Sequence, residues 1–309
     1  MRSPALERFA AMRRAYPPPP HLTPGTVEAR GLSFAVYRSP PVPGTIPLLC
    51  INGGVVYDHR LLWPALSPLA EKRQLILYDQ RGRGKSAPPP GVRAARVEHD
   101  ALDVGALRKA LDVPLWDVLG HSWGGGLALL AVADDRAATR RLVTVDAVGP
   151  TSDWRADFER DALARLDDAQ RARLSVAIGA LERDDNVAAL SEYNRAIYPA
   201  WFAEPELGAL LQPPRATSET GYGVHRRMRT DGYDWRERLA GLDVPTLLVH
   251  GDADLIPPTQ AERWAELLPQ SRVARIANAG HNPFWEQPAV FFPLVDAFLT
   301  AATVDHETR

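Results

Sequence analysis

Residues Trp116 to Ala133 read "WDVLGHSWGGGLALLAVA", a β-prone run, a glycine-flanked serine and an apolar segment of helical composition in succession. Gly120-His121-Ser122-Trp123-Gly124 fits G-x-S-x-G, and between a strand and a helix that pattern is a turn sharp enough to push a serine hydroxyl out at the end of a sheet. A side chain at either flanking position would collide across so tight a turn, so glycine is needed there. Taken alone, the pattern equally describes a glycine-rich strand-to-helix turn with no chemistry, and the rest of the chain has to separate the two.

Working outward, five more short apolar runs have strand length: Pro47 to Ile51, Gln74 to Tyr78, Leu142 to Val145, Thr246 to His250 and Arg272 to Ile276. Helical patterns lie between or after them at Val97 to Leu111, Gly125 to Ala133, Pro258 to Leu268 and Pro288 to Ala301. Continuous apolar runs alternating with helices predict buried parallel strands in an α/β sheet with helices on both faces. Thr26 to Ala29 and Leu32 to Tyr37, joined by Arg30-Gly31, predict a hairpin ahead of it. The fourth and fifth sheet strands are about 100 residues apart, far more than one crossover helix needs. That segment is rich in charge, tryptophan and tyrosine and lacks a clear strand, so the expected layout is a core of residues 1–150 and 240–309 with a helical lid inserted at 151–239.

A serine hydroxyl is a weak nucleophile near neutrality and needs a histidine to take its proton and a carboxylate to orient that histidine. Behind a G-x-S-x-G turn they follow in the order acid, then histidine. The run "TLLVH" leads into Gly251-Asp252-Ala253-Asp254-Leu255-Ile256-Pro257, and the last strand is followed by Ala279-Gly280-His281-Asn282-Pro283. Both candidates sit just beyond the carboxyl ends of strands, where open α/β sheets place ligands. Among 8 histidines, His281 alone combines a late position with a post-strand glycine. Asp254 is preferred to Asp252 because it lies further past its strand, and Asp146, at the end of "LVTVD", is a third candidate acid. The oxyanion hole needs two backbone N–H groups, one from Trp123 and one from the loop after an early strand, where Asn52-Gly53-Gly54 offers Gly54. Gly53, Val55 and His121 are the expected neighbours of the substrate.

"DQRGRGKS", Asp79 to Ser86, ends like a phosphate-binding loop. The glycine such a loop needs earlier is replaced by Asp79, whose charge would repel a phosphate. With "GHSWGG", "GDADLIPP" and "AGHNPFWEQP", this loop resembles the motifs of the α/β-hydrolase superfamily, and most closely those of proline iminopeptidases, over residues 30 to 150 and 235 to 300. The resemblance implies Ser122 as nucleophile, Asp254 as acid, His281 as base, and Gly54 with Trp123 at the oxyanion hole. It also makes "DQRGRGKS" a family marker rather than a nucleotide site. One departure is plain: where the family usually reads His-Gly-Gly-Pro-Gly, this chain has Asn52-Gly53-Gly54-Val55-Val56. The family's aminopeptidases hold the substrate amine with acidic groups, for which the lid offers Glu182, Asp184, Asp185, Glu192, Glu204, Glu206 and Glu219.

A net charge of -2 gives no single-signed field for nucleic acid or an anionic membrane surface. One cysteine, Cys50, excludes an internal disulfide, and no Cys/His spacing suggests a metal. Nowhere are there about 18 consecutive apolar residues, and the N-terminus has no uninterrupted apolar stretch. Pro17 to Pro20 reads as a stiff extended lead-in. The expectation is a cytoplasmic, cofactor-independent serine hydrolase cleaving a small ester or amide, in the manner of a carboxylesterase or a proline-iminopeptidase-like aminopeptidase. Carbon–carbon bond hydrolysis or lactone opening on the same triad, and a catalytically silent binding protein, are the alternatives. Aspartate-nucleophile dehalogenases and epoxide hydrolases are disfavoured by the serine at the turn.

Overall fold

Eight strands form one sheet in the computed structural model, which describes residues 3–91 and 94–301. They are β1 (Thr23–Ala29), β2 (Leu32–Arg38), β3 (Leu48–Ile51), β4 (Leu75–Tyr78), β5 (Trp116–His121), β6 (Thr139–Val145), β7 (Thr246–Gly251) and β8 (Ser271–Ile276). The spatial order is β1-β2-β4-β3-β5-β6-β7-β8, antiparallel from β1 to β4 and parallel from there on. β1 starts at Thr23 rather than Thr26, and tolerates Pro24 because an edge strand leaves that position without a ladder partner on one side.

Alternation along the strands splits the core into two layers. Leu49 and Ile51 of β3, Ile76 and Tyr78 of β4, Val118 of β5 and Leu248 of β7 point to one face. There they meet helices α2 (Val97–Ala110), α3 (Trp123–Asp134) and α10 (Thr259–Leu267). Leu48, Cys50, Leu75, Leu77, Leu119, Val143, Leu247 and Val249 point to the other, against helix α12 (Pro288–Thr300). Phe291, Phe292, Val295 and Leu299 of α12 are buried there, each contributing roughly 2–3 kcal/mol of apolar transfer.

Between β6 and β7 the chain forms α4 (Phe158–Arg165), α5 (Asp168–Asp184), α6 (Val187–Ile197), α7 (Pro205–Leu210), α8 (Glu219–Asp231) and α9 (Arg236–Leu239). Its entry and exit are clasped, Ser152 N–H donating to Tyr233 O at 3.1 Å and Trp235 N–H to Pro150 O at 2.9 Å. Leu174, Leu181, Leu190 and Ile197 build an apolar cluster of its own, continued below by Val56, Tyr57 and Leu255. Helix α1 (Pro4–Ala15), absent from the sequence reading, reaches the same region: Arg8 pairs with Glu204 at 3.0 Å and donates to Glu286 O at 2.7 Å. Helix α11 (Pro283–Glu286) completes the set. Among the described residues, no helix is long and apolar enough to cross a membrane.

Candidate active site

Ser122 makes the turn between β5 and α3 by itself, at φ 57°, ψ −124°, a conformation L-residues rarely adopt. A Cβ on Gly120 would lie 2.1 Å from Gly124 O, and one on Gly124 would lie 2.3 Å from Ile51 O. Backbone meets backbone at both places, so neither neighbour can yield. Such strain costs about 1–3 kcal/mol and persists only where surroundings over-determine it. Here Val145 O accepts from Ser122 N–H at 2.8 Å, and Ser122 O accepts from Gly125 N–H at 2.9 Å.

The loops after β7 and β8 bring Asp254 to His281: the ring Nδ1 lies 3.0 and 2.9 Å from the two carboxylate oxygens. Both side chains are buried. Burial pushes the Asp254 carboxyl up, but the charges and hydrogen bonds of His281 and His250 outweigh it and hold it well below the usual carboxylate range. The other two acid candidates have different employment. Asp252 Oδ1 accepts from Asn278 N–H at 2.9 Å, tying the two loops together. Asp146 accepts from Gly251 N–H at 2.7 Å and lies behind Asp254; burial, then the Asp254 charge, pushes its carboxyl well above the usual carboxylate range. Two clusters, Asp58–His59–Asp79 and Asp146–His250–Asp254, have the composition of cation ligands. In the first, Asp58 is bound to Arg60 and Asp79 to Tyr37, His59 and Lys85; in the second, Asp254 is bound to His281.

Trp123 opens α3, where the first N–H groups have no intrahelical acceptor and the helix dipole favours negative charge. Gly54 stands at φ 71° in the facing loop. That loop is braced from within and from below. Asn52 Nδ2 donates to Gly53 O at 3.0 Å and Tyr57 O at 3.1 Å, and Gln80 Nε2 donates to Asn52 O at 3.1 Å. Trp123 Nε1 in turn donates to Gln80 Oε1 at 3.4 Å. Val55, in place of the family's proline, takes φ 40°, an outlier for a β-branched residue; Arg83 Nε fixes its carbonyl at 2.8 Å. Arg83 is fully buried and paired with Asp100 at 2.9 Å, and Arg81 pairs with Asp103 at 2.5 Å. "DQRGRGKS" is thus a brace for the loop beside Ser122.

Ser122 and His281 line one small cavity of about 80 Å³ with Gly54 and His121. Ser122, Gly54, Val55 and Trp123 also line a larger chamber of about 280 Å³, roofed by Trp154, Tyr193 and Trp201. Gly53 reaches neither cavity; it is packed against Ser122 and His121, where a Cβ would lie 2.7 Å from Ser122 Cβ. His121 is held neutral, burial and then His281 pushing it down to about 3, and its Nε2 sits 2.8 Å from His281 O.

The sequence reading missed three groups that hold this arrangement. Trp201 lies on the His281 ring with centroids 4.1 Å apart and accepts the His281 N–H at 2.7 Å. Arg165 of α4 donates to the carbonyls of Ala253 and of Asp254, the latter at 2.9 Å. Glu286 accepts N–H bonds from Gly280 at 3.0 Å, Asn282 at 3.1 Å and Ala203 at 2.8 Å, and burial raises its carboxyl to about 7. No motif marked Trp201 or Arg165, whereas Glu286 was visible inside "AGHNPFWEQP". None of the seven lid acids named from sequence lines the chamber. Glu192, Asp184, Asp185 and Glu204 are in ion pairs elsewhere, and the one carboxylate in the chamber is Glu159.

A mostly parallel sheet with a strained serine where its central strand turns into a helix is the ground plan of the α/β hydrolases. The chain belongs to that family: the model of the alpha/beta hydrolase fold matches residues 46–288. It is similar to the proline iminopeptidase of Lactobacillus delbrueckii subsp. lactis, 26% identical over 265 residues that cover 82% of this chain and 90% of that protein. Among solved structures, the proline iminopeptidase of Mycobacterium smegmatis superposes with a TM-score of 0.65 at 22% identity, covering 90% of this chain and 97% of that one. An alpha/beta fold family hydrolase from Bacillus anthracis str. Sterne does so at 0.71 and 19%, covering 90% and 99%. The protein is therefore a hydrolase of this fold.

Proposed function

We propose that the protein is a serine hydrolase that cleaves a small ester or amide through an acyl-enzyme on Ser122, with residues 151–239 acting as the lid over the substrate. His281 takes the Ser122 proton as Oγ attacks the substrate carbonyl carbon. Gly54 and Trp123 N–H groups hold the oxyanion, and the protonated His281 passes that proton to the departing alcohol or amine. Water then attacks the acyl carbon, giving its proton to His281, and Ser122 leaves with that proton restored. Asp254 keeps Nδ1 of His281 protonated and stabilises the imidazolium. The observation that carries the reading is the strained Ser122 sharing a cavity with a His281 already paired to a charged Asp254. The likeness to proline iminopeptidases supports an amide or peptide substrate; the serine triad supports esters equally.

Turnover of short p-nitrophenyl esters and of prolyl p-nitroanilide by the same preparation tests this. Ser122→Ala is expected to lower kcat by about a millionfold on whichever is cleaved. Retained turnover in that variant would remove Ser122 from the reaction.

A further inference from the structure

The chamber above Ser122 holds a cation that has neither a hydrogen bond nor an ion pair among the described residues. Arg155, half-buried at the foot of the segment, lines the chamber together with Ser122 and Trp123. Its guanidinium has neither a hydrogen bond nor an ion pair among the described residues; it lies 6.0 Å from the Trp154 ring centroid. The buried arginines elsewhere are treated differently, as the pairs Arg83–Asp100 at 2.9 Å, Arg81–Asp103 at 2.5 Å and Arg73–Asp296 at 2.6 Å show. A guanidinium withdrawn from water costs free energy unless an anion or acceptors replace the solvent. For Arg155 that cost is visible in the direction of its pKa, which burial lowers.

The other charges in the chamber do not meet the need. Glu159, its one carboxylate, is bonded to Tyr193 Oη at 3.1 Å. Arg160, the second cation, is committed to Asp157 at 2.6 Å and Asp161 at 3.0 Å. With Arg160 neutralised at the surface and Glu159 hydrogen-bonded to Tyr193, Arg155 is the cation of the lining left without a hydrogen bond or ion pair among the described residues, and it favours an anion beside it. His225, also in the lining, adds no cation: burial, then Arg155, pushes it down to about 3. The planar fork of an arginine matches a carboxylate in a way a point charge does not. A volume of about 280 Å³, at the lower edge of ligand pockets, limits that carboxylate to a short chain whose methylenes rest on Trp154 and Trp201.

We infer that the substrate is a short ester carrying a second, free carboxylate, which Arg155 binds while the ester carbonyl lies at Ser122. This rests on the serine-hydrolase reading above and sets it against an amine-bearing peptide.

Monoethyl adipate and ethyl hexanoate differ in little beyond a carboxylate for a methyl at the far end, and each cleavage releases ethanol and one proton from the new carboxylic acid, so a pH-stat at pH 7.5 compares them directly. The wild-type kcat/KM should favour the hemiester by at least about tenfold, the size of one charge-assisted hydrogen bond. Arg155→Gln should bring the ratio close to one, and Arg155→Lys should keep part of it. In Ser122→Ala, tryptophan fluorescence should show saturable binding of monoethyl adipate, weakened at least about tenfold by adding Arg155→Gln. Ester cleavage with no Arg155-dependent preference, or faster cleavage of L-prolyl p-nitroanilide than of the hemiester, would overturn the carboxylate site and leave the serine mechanism standing. Arg155-dependent binding with no ester cleavage would do the reverse. Absence of both binding and preference would overturn the site outright.

Discussion

The carboxyl end of the sheet and the helical segment above it treat charge in opposite ways. At the sheet end the buried acidic and basic side chains named above have fixed partners: Asp254 has His281, Asp79 has Tyr37, His59 and the Lys85 N–H, and Arg83 has Asp100. In the helical segment ion pairs are mostly at the surface, as in Arg183–Asp184 and Arg215–Glu192, and Arg155, which lines the chamber, has none among the described residues. Exposed pairs contribute about 0–1 kcal/mol each, so the segment's charges are free to vary at little cost to the fold. The difference teaches where each property resides under the proposed mechanism: the sheet end would set what is done to a carbonyl, and the segment which molecule presents it.

The sharpest way to break that division is within the sheet end, where two buried aspartates lie side by side. Asp254→Asn removes the charge that orients His281 and should lower kcat by about 10⁴. Asp146→Asn changes a carboxyl that burial already disfavours in its charged form, keeps an oxygen for Gly251 N–H, and should lower kcat by less than about tenfold. In steady-state assays, a larger loss in Asp146→Asn than in Asp254→Asn would move the orienting role to Asp146, and equal losses would divide it between the two.

A smaller effect joins the two regions through Glu286, which binds the histidine loop at Gly280 and Asn282 and the helical segment at Ala203. Its pKa rises from 4.5 to about 7 on folding, so the neutral form is the one the fold favours. The resulting stabilisation is complete below pH 4.5 and is lost as pH rises through about 7, amounting to about 3 kcal/mol. Urea midpoints should therefore fall between pH 5 and pH 8, and Glu286→Gln should flatten that fall. An equal slope in the variant would show that Glu286 does not titrate in this range.

How far the sequence disclosed these regions follows from how local the signals are. β3 to β7 were legible because both faces of a buried strand are apolar, and β8, a half-exposed edge strand, because of Val273, Ala274 and Ile276; their ends came within a few residues. Helix α3 begins at Trp123, not Gly125, because Gly124 and Gly125 are there for close approach to β3 and Ala147, and propensity reads them as loop. Helix α1 was overlooked although Ser3 caps it, Pro4 opens it and Arg13 and Arg14 close it. Strand order, and the placing of Asp146 behind Asp254, depend on which strands become neighbours, and a single sequence does not state that. Ser122, Asp254 and His281 were legible because each stands in a short motif at a strand end; Arg155, Trp201 and Arg165 were not, because they sit on helices whose register over the sheet is tertiary.

The central claim is that Ser122 is the nucleophile and that His281 activates it. Treating the protein with a fluorophosphonate and mapping the adduct by mass spectrometry tests this without knowledge of the substrate. One phosphonyl group per chain, on the peptide containing Ser122, with labelling slowed by at least about 10³ in His281→Ala, is the predicted result. An adduct on another residue, or unchanged labelling in His281→Ala, would contradict the account.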